Sequence, residues 1–137
     1  MNLTLTIDTQ LAVSEKGLNE VIALYQSSGI ARPVEQPKRM QRMLQHANLI
    51  VTARQDGQLI GLARCLTDYS WVVYIADLLV AKEVQQQGVG QQLLAEVQRI
   101  TGPEVQQLLL SAPSAMAYYP KVGFQPLSNA FAIGRKE

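Results

Sequence analysis

Cysteine, histidine and tryptophan each occur once in 137 residues, and aromatic residues make up only 6% of the chain. A lone cysteine, Cys65, excludes an intramolecular disulfide and any multi-cysteine zinc site. A lone histidine, His46, gives no support to a catalytic triad or a histidine metal cluster. Charge of either sign is also scarce: 12 Lys and Arg against 11 Asp and Glu, spread along the chain, with a net of +1. Without a basic cluster there is no electrostatic footprint for nucleic acid. No apolar run reaches the ~20 residues that span a bilayer. The first eight residues alternate apolar and polar rather than placing a charged start before an apolar run, so a secretion leader is not expected. The expectation is a cytoplasmic, soluble protein of one domain over residues 1–137. At 47% hydrophobic residues it has enough apolar surface for a normal core.

The apolar spacing changes period several times along the chain. Leu3, Leu5 and Ile7 alternate as on a first strand. Ser14 can cap a helix that runs to about Ser28 and stops at Gly29, with Leu18, Val21, Ile22 and Tyr25 on one face. Pro33 and Pro37 bracket a loop, and Pro37 suits the first turn of a short second helix carrying Met40, Met43 and Leu44. Leu49–Arg54 and Leu59–Leu66 read as strands joined by a turn containing Asp56-Gly57, a strong hairpin signal. Trp71–Val80 is a long apolar strand and Gly88–Ile100 an amphipathic helix. Leu108-Leu109-Leu110 is a buried strand, followed by a helix from Ser114 to about Lys121 and a last strand near Phe131–Gly134. The fold class is α/β, a mixed, mostly antiparallel sheet in the order β-α-α-β-β-β-α-β-α-β with helices on both faces. Trp71–Val80, Gly88–Ile100 and Gln107–Ser111 form one parallel crossover.

The chemistry concentrates where the long strand meets the helix, from Leu78 to Gly90. A buried strand enters a short loop, and Gly88 and Gly90 open the helix. The N–H groups there have no intrahelical partner and carry partial positive charge. Glycine lets an anion approach the backbone, so the expected ligand is a phosphate. Neither a P-loop nor a dinucleotide fingerprint is present. The bare pattern leaves a second reading open, in which the glycines only allow close helix–strand packing.

Gln85-x-x-Gly88-x-Gly90, preceded by Leu78-Leu79-Val80 and followed by Leu93-Leu94, resembles the signature of the GNAT N-acetyltransferase superfamily. Tyr118-Tyr119-Pro120-Lys121-Val122-Gly123-Phe124 is similar to the family's aromatic-Tyr-x-x-x-Gly-Phe run. Leu24-Tyr25-Gln26-Ser27-Ser28-Gly29 resembles a Leu-Tyr-x-x-x-Gly element of one bacterial branch. The likeness covers nearly the whole chain. Two features depart from it. The phosphate loop holds three glutamines, with only Lys82 as a nearby cation. Ser111-Ala112-Pro113-Ser114 stands where many members have an Asn.

The resemblance implies acetyl-CoA as cofactor, its pantetheine arm lying between splayed fourth and fifth strands. Leu78, Leu79, Val80, Gln85, Gln86, Gln87, Gly88, Val89, Gly90, Gln91, Ser114 and Tyr119 would bind it. The Val80 N–H would polarise the thioester carbonyl. Tyr119 would act as the acid at sulfur, with Tyr118 as core. Asp77 is the first choice of base and Glu83 the second. The acceptor, a small-molecule or peptide amine, would meet Tyr25, Arg32, Arg64, Asp68 and Trp71. The arginines suit a carboxylate and Asp68 suits a cation, and the sequence does not choose between them. No metal, nucleic acid or membrane is expected, and a homodimer is compatible with the family. Two rivals stay open on the same fold: a non-catalytic acyl-CoA-binding module and a cofactor-free interaction domain. Cys65, among apolar residues, is expected to be inert.

Overall fold

A computed structural model describes residues 5–9 and 15–137, the side chains of residues 15 and 16 excepted. Leu3 and Ser14, read above as strand and cap, lie outside the described residues. Five strands form one sheet in the order β1-β2-β3-β4-β5. They are β1 (Leu5–Asp8), β2 (Leu49–Gln55), β3 (Gln58–Thr67), β4 (Val72–Val80) and β5 (Gln106–Leu109). Neighbours are antiparallel except β4 and β5, which run parallel. The helices are α1 (Glu15–Ser28), α2 (Pro37–His46), α3 (Val89–Thr101) and the short α4 (Tyr118–Lys121).

Local chemistry accounts for most of these boundaries. Asp56 and Gly57 both adopt positive φ, 52° and 80°, as a two-residue hairpin turn of this hand requires. Pro37 opens α2, which buries Met40 and Leu44. A parallel neighbour cannot follow by a tight turn, so the chain crosses from β4 to β5 through a 3-10 turn (Lys82–Val84) and α3.

Successive side chains of β4 face opposite sides. Val73, Ile75, Asp77 and Leu79 are buried, Asp77 against Tyr25 of α1. Leu78 and Val80 face α3. That helix lays Val89, Leu93, Leu94 and Val97 on the sheet. Burying each such side chain contributes roughly 1.5–3 kcal/mol. Gly61 of β3 makes this approach possible: a Cβ there would lie 3.0 Å from both Leu93 Cδ1 and Val89 Cγ1.

Two expectations are corrected. The helix expected from Ser114 to Lys121 is broken into a 3-10 turn (Pro113–Ala115) and the four-residue α4. Pro120 cannot donate to a helical ladder, which helps keep α4 short. The strand expected near Phe131–Gly134 pairs with nothing among the described residues, and Phe131 and Ile133 are each 97% exposed. Its alternation is strand-like, but a strand needs a neighbour, and it has none among the described residues.

Candidate active site

β4 and β5 pair only from Val72↔Gln106 to Ile75↔Leu109, so β4 runs five residues beyond its parallel partner. Just past that point the register against β3 shifts: Cys65 faces Ile75 and Arg64 faces Asp77, leaving Ala76 as the extra residue of a bulge. The Ala81 N–H donates to Ile60 O of β3 at 2.8 Å. Backbone groups alternate between the two edges of a strand, so the N–H groups of Leu78 and Val80 point the other way, into the gap beside β5. Gln85 Nε2 closes the end of this edge by donating to Val80 O at 3.0 Å. An unpaired stretch of strand is a template for an extended ligand.

The loop after β4 presents donors beside that edge. Gln86 (φ 66°) and Gly88 (φ 85°) are left-handed, and Gly88 caps α3. Left-handed residues interspersed in a turn form an anion-binding concavity, here opening on the first turn of a 13-residue helix. Gln86, Gln87, Gly88 and Gln91 are exposed around it, whereas the side chains of Leu79 and Val89 belong to the core. Lys82 N–H is held by Ser27 Oγ at 2.9 Å, tying the loop to the end of α1.

Tyr118, partly buried against the core, also reaches this loop. A Cβ at Gly90 would lie 3.1 Å from the Tyr118 hydroxyl, 3.7 Å from Val80 Cγ2 and 3.8 Å from Leu78 Cδ2. Tyr118 thus packs against the core, as read, and has its hydroxyl at the junction of β4 and α3. Tyr119 packs edge-on between Tyr118 (5.2 Å) and Phe124 (5.6 Å), and lines a cavity along β5. Burial raises the pKa of both phenols, Tyr119 further through the neighbouring Tyr118. Both keep their protons at neutral pH. The doubled tyrosine was the available signal, since neighbouring positions on a short helix point to different places.

Asp77 lies at the centre of a buried cluster. Its Oδ2 accepts from Tyr25 Oη at 2.5 Å and from Arg64 Nε at 2.6 Å. Its Oδ1 accepts from Arg32 Nε at 2.7 Å and faces Arg32 Nη2 at 2.6 Å. Arg32 Nη2 also donates to Ala76 O at 3.1 Å, at the bulge. Burial, then the Asp77 carboxylate, raises the Tyr25 pKa well above the ordinary phenol value. Burial, the largest single influence, lowers the Arg64 pKa, but the hydrogen bonds and charges of Asp77 and Tyr25 together outweigh it and the net shift is upward. Two guanidinium groups thus share one carboxylate, for one net positive charge beside the gap. Asp77 has no face left for a substrate proton in this arrangement.

The remaining expected residues are dispersed. Glu83 is exposed, its Oε2 3.5 Å from Ser27 Oγ. Ser114 sits exposed on the 3-10 turn after β5. Asp68 Oδ1 accepts from the N–H groups of Ser70, Trp71 and Val72, which lower its pKa. Asp68 and the exposed Trp71 stand at the start of β4, and eight residues of strand rise put them roughly 25 Å from Val80. They are not brought together with Tyr25, Arg32 and Arg64. Cys65 is fully buried, and burial pushes its pKa up to about 12, which keeps it an unreactive thiol.

The fold and this junction define an acyl-CoA N-acyltransferase architecture, and the comparisons agree. Residues 21–133 match the family model of the acetyltransferase (GNAT) domain, so the chain belongs to the GNAT acetyltransferase family. SA2161 of Staphylococcus aureus superposes with a TM-score of 0.80 at 21% identity, over 98% of this chain and 100% of that one. A GNAT-family acetyltransferase of Streptococcus pneumoniae, SP0256, gives 0.75 at 26% identity, over 98% and 100%. The aminoglycoside N-acetyltransferase AAC(6′)-Iy, solved in complex with CoA, gives 0.73 at 18% identity, over 99% and 97%. No curated protein matches significantly. Among the described residues, no helix is long and apolar enough to cross a membrane.

Proposed function

We propose that this chain transfers an acetyl group from acetyl-CoA to the primary amine of a small molecule or peptide by direct attack. The observation that carries this reading is the unpaired edge of β4 running into a left-handed glycine loop at the start of α3. The residues present fit the cofactor: an edge for an extended arm, backbone donors for a pyrophosphate, and no side chain at Gly90 to block the approach. AAC(6′)-Iy, whose fold this chain shares, holds CoA. Acetyl-CoA, when bound, supplies an activated thioester.

The chain's own groups then divide the work. N–H and C=O groups of Leu78 and Val80 hold an extended ligand as a neighbouring strand would. The Val80 N–H steadies negative charge at the reacting carbonyl, worth on the order of 3 kcal/mol for one fixed donor. Tyr118, whose hydroxyl lies by Gly90 and the side chains of Leu78 and Val80, takes the acid role that the sequence suggested for Tyr119. Glu83, exposed three residues beyond Val80, accepts the amine proton directly or through one water. Asp77 serves as the anchor of the Tyr25, Arg32 and Arg64 cluster. The net positive charge of the Arg32–Asp77–Arg64 group favours acceptors that carry a carboxylate over polyamines.

Calorimetric titration tests the cofactor site. Saturable binding of acetyl-CoA and desulfo-CoA, but not ATP, is expected. An amine screen should then show transfer, with carboxylate-bearing amines ahead of polyamines. Tyr118→Phe should cut turnover roughly 100-fold, within the usual range for a lost general acid, with acetyl-CoA affinity nearly unchanged. Absence of binding at millimolar acetyl-CoA would move the chain to the interaction-domain reading.

A further inference from the structure

Arg32 and Arg64 converge on Asp77, but they spend their hydrogen-bond donors differently. A guanidinium carries one N–H on Nε and two on each Nη. In Arg32 every nitrogen is tied to the chain: Nε donates to Asp77 Oδ1 at 2.7 Å, Nη1 to Ala31 O at 2.6 Å and Nη2 to Ala76 O at 3.1 Å. Arg32 thus pins its loop to the bulge of β4. Arg64 is held through Nε, which donates to Asp77 Oδ2 at 2.6 Å. The Tyr25 oxygen, itself a donor to Asp77, lies close enough to draw one N–H of the Arg64 fork. No other acceptor among the described residues engages Nη1 or Nη2 of Arg64.

That fork is nevertheless well enclosed, with the Arg64 side chain only 12% exposed. A guanidinium so covered ordinarily finds protein partners, because unmet donors cost free energy. Among the described residues the buried side-chain atom without a partner is Gln107 Oε1, not a nitrogen of Arg64. Nη1 and Nη2 therefore face solvent through a small opening. It lies beside Asp77, just past Ile75, where β4 loses its parallel partner.

We propose that the Nη1 and Nη2 groups of Arg64 take the carboxylate of the acceptor, and so set the acceptor class as an amino acid or short peptide with a free carboxylate. The inference rests on the acetyl-transfer reading above and names the substrate class for that site. A carboxylate presents two coplanar oxygens that match the fork of a guanidinium in parallel bonds, a match a lysine ammonium does not offer. The charge agrees. Asp77 offsets one of the two guanidinium groups, and the acceptor's carboxylate offsets the other. A polyamine would add to the uncompensated charge. Arg32, its nitrogens already committed, is a positioning residue for the loop.

Matched acceptors test this: glycine, β-alanine, γ-aminobutyrate and ε-aminocaproate, each beside its carboxamide. For the best acid, the wild type should prefer the carboxylate over the amide by roughly tenfold or more in kcat/KM, expressed mainly in KM. Arg64→Lys keeps a positive charge beside Asp77 but loses the fork. It should bring the ratio near one, with the KM for acetyl-CoA and the turnover of the amides nearly unchanged. Arg32→Lys should keep the ratio. A second readout needs no chemistry. In protein labelled with heavy-nitrogen arginine, the Arg64 Nε–H resonance, identified by its loss in Arg64→Lys, should move on titration with the same acids. That movement without transfer to any amine would uphold the anchor and remove the transferase reading. Transfer with no preference for the carboxylate would overturn the anchor and leave the transferase reading in place, and this wild-type comparison decides even if Arg64→Lys does not fold. A preference that survives Arg64→Lys, or a resonance that no acid moves, would also overturn it.

Discussion

At the scale of single residues, the contacts of Asp77 favour an anchoring role over that of a base. A carboxylate in an apolar strand draws attention as a base. In the folded chain Tyr25, Arg32 and Arg64 converge on it from α1, the following loop and β3. The cluster fastens the loop before α2 to the bulge at Ala76, where β4 and β5 part. Removing one partner of a buried ion pair leaves uncompensated charge and costs about 3–5 kcal/mol. Arg32 remains a third exposed and can turn partly to water, so the lower end applies. Asp77→Asn should therefore lose about 3 kcal/mol in urea unfolding. Unchanged stability with abolished turnover would restore Asp77 as a base. The sequence made Asp77 visible as unusual, but its partners stand 52, 45 and 13 residues away, and a single sequence does not pair them.

Elements were legible where their signals are local. The Asp56-Gly57 hairpin, the amphipathic stripe of α3 and the glycine loop before it follow from a few adjacent residues, and all three are present in the structure. Placements that depend on distant contacts were not legible. The last segment has strand periodicity but no strand neighbour among the described residues. The aromatic pair on α4 divides between two surfaces, so Tyr118 rather than Tyr119 meets Gly90. Asp68 serves its own turn at the far end of β4 from the gap. The loop itself makes a direct prediction. An arginine at Gly90 would displace the Tyr118 hydroxyl, which lies at the movable end of a side chain, and would project into the space beside the free edge of β4. Gly90→Arg should fold, with a melting temperature near that of the wild type, and should show no saturable binding of acetyl-CoA in calorimetry. Normal affinity in that variant would remove the loop from the cofactor site.

Over the whole molecule, the core sets an upper pH limit on stability. Buried protons are held more tightly folded than unfolded: on Cys65, whose pKa burial pushes up to about 12, and on Tyr25, which burial and Asp77 shift upward, with the phenols of Tyr118 and Tyr119 shifted the same way. The unfolded chain releases them near ~8.5 and ~10, the ordinary thiol and phenol values. Above each of those values the native state binds the extra proton, so stability falls as pH rises. The slope is about 1.4 kcal/mol per pH unit for each proton fully released on unfolding. Below pH 8 both groups are protonated in either state and contribute no slope. Urea unfolding should give a steady stability at pH 7–8 and a decline above pH 9, steepening once the phenol joins above pH 10. Cys65→Ala removes the thiol and should flatten the decline between pH 9 and 10, leaving the tyrosine limb in place. Equal slopes in both proteins over that interval would show that the Cys65 thiol is less enclosed than its place between β2 and β4 implies.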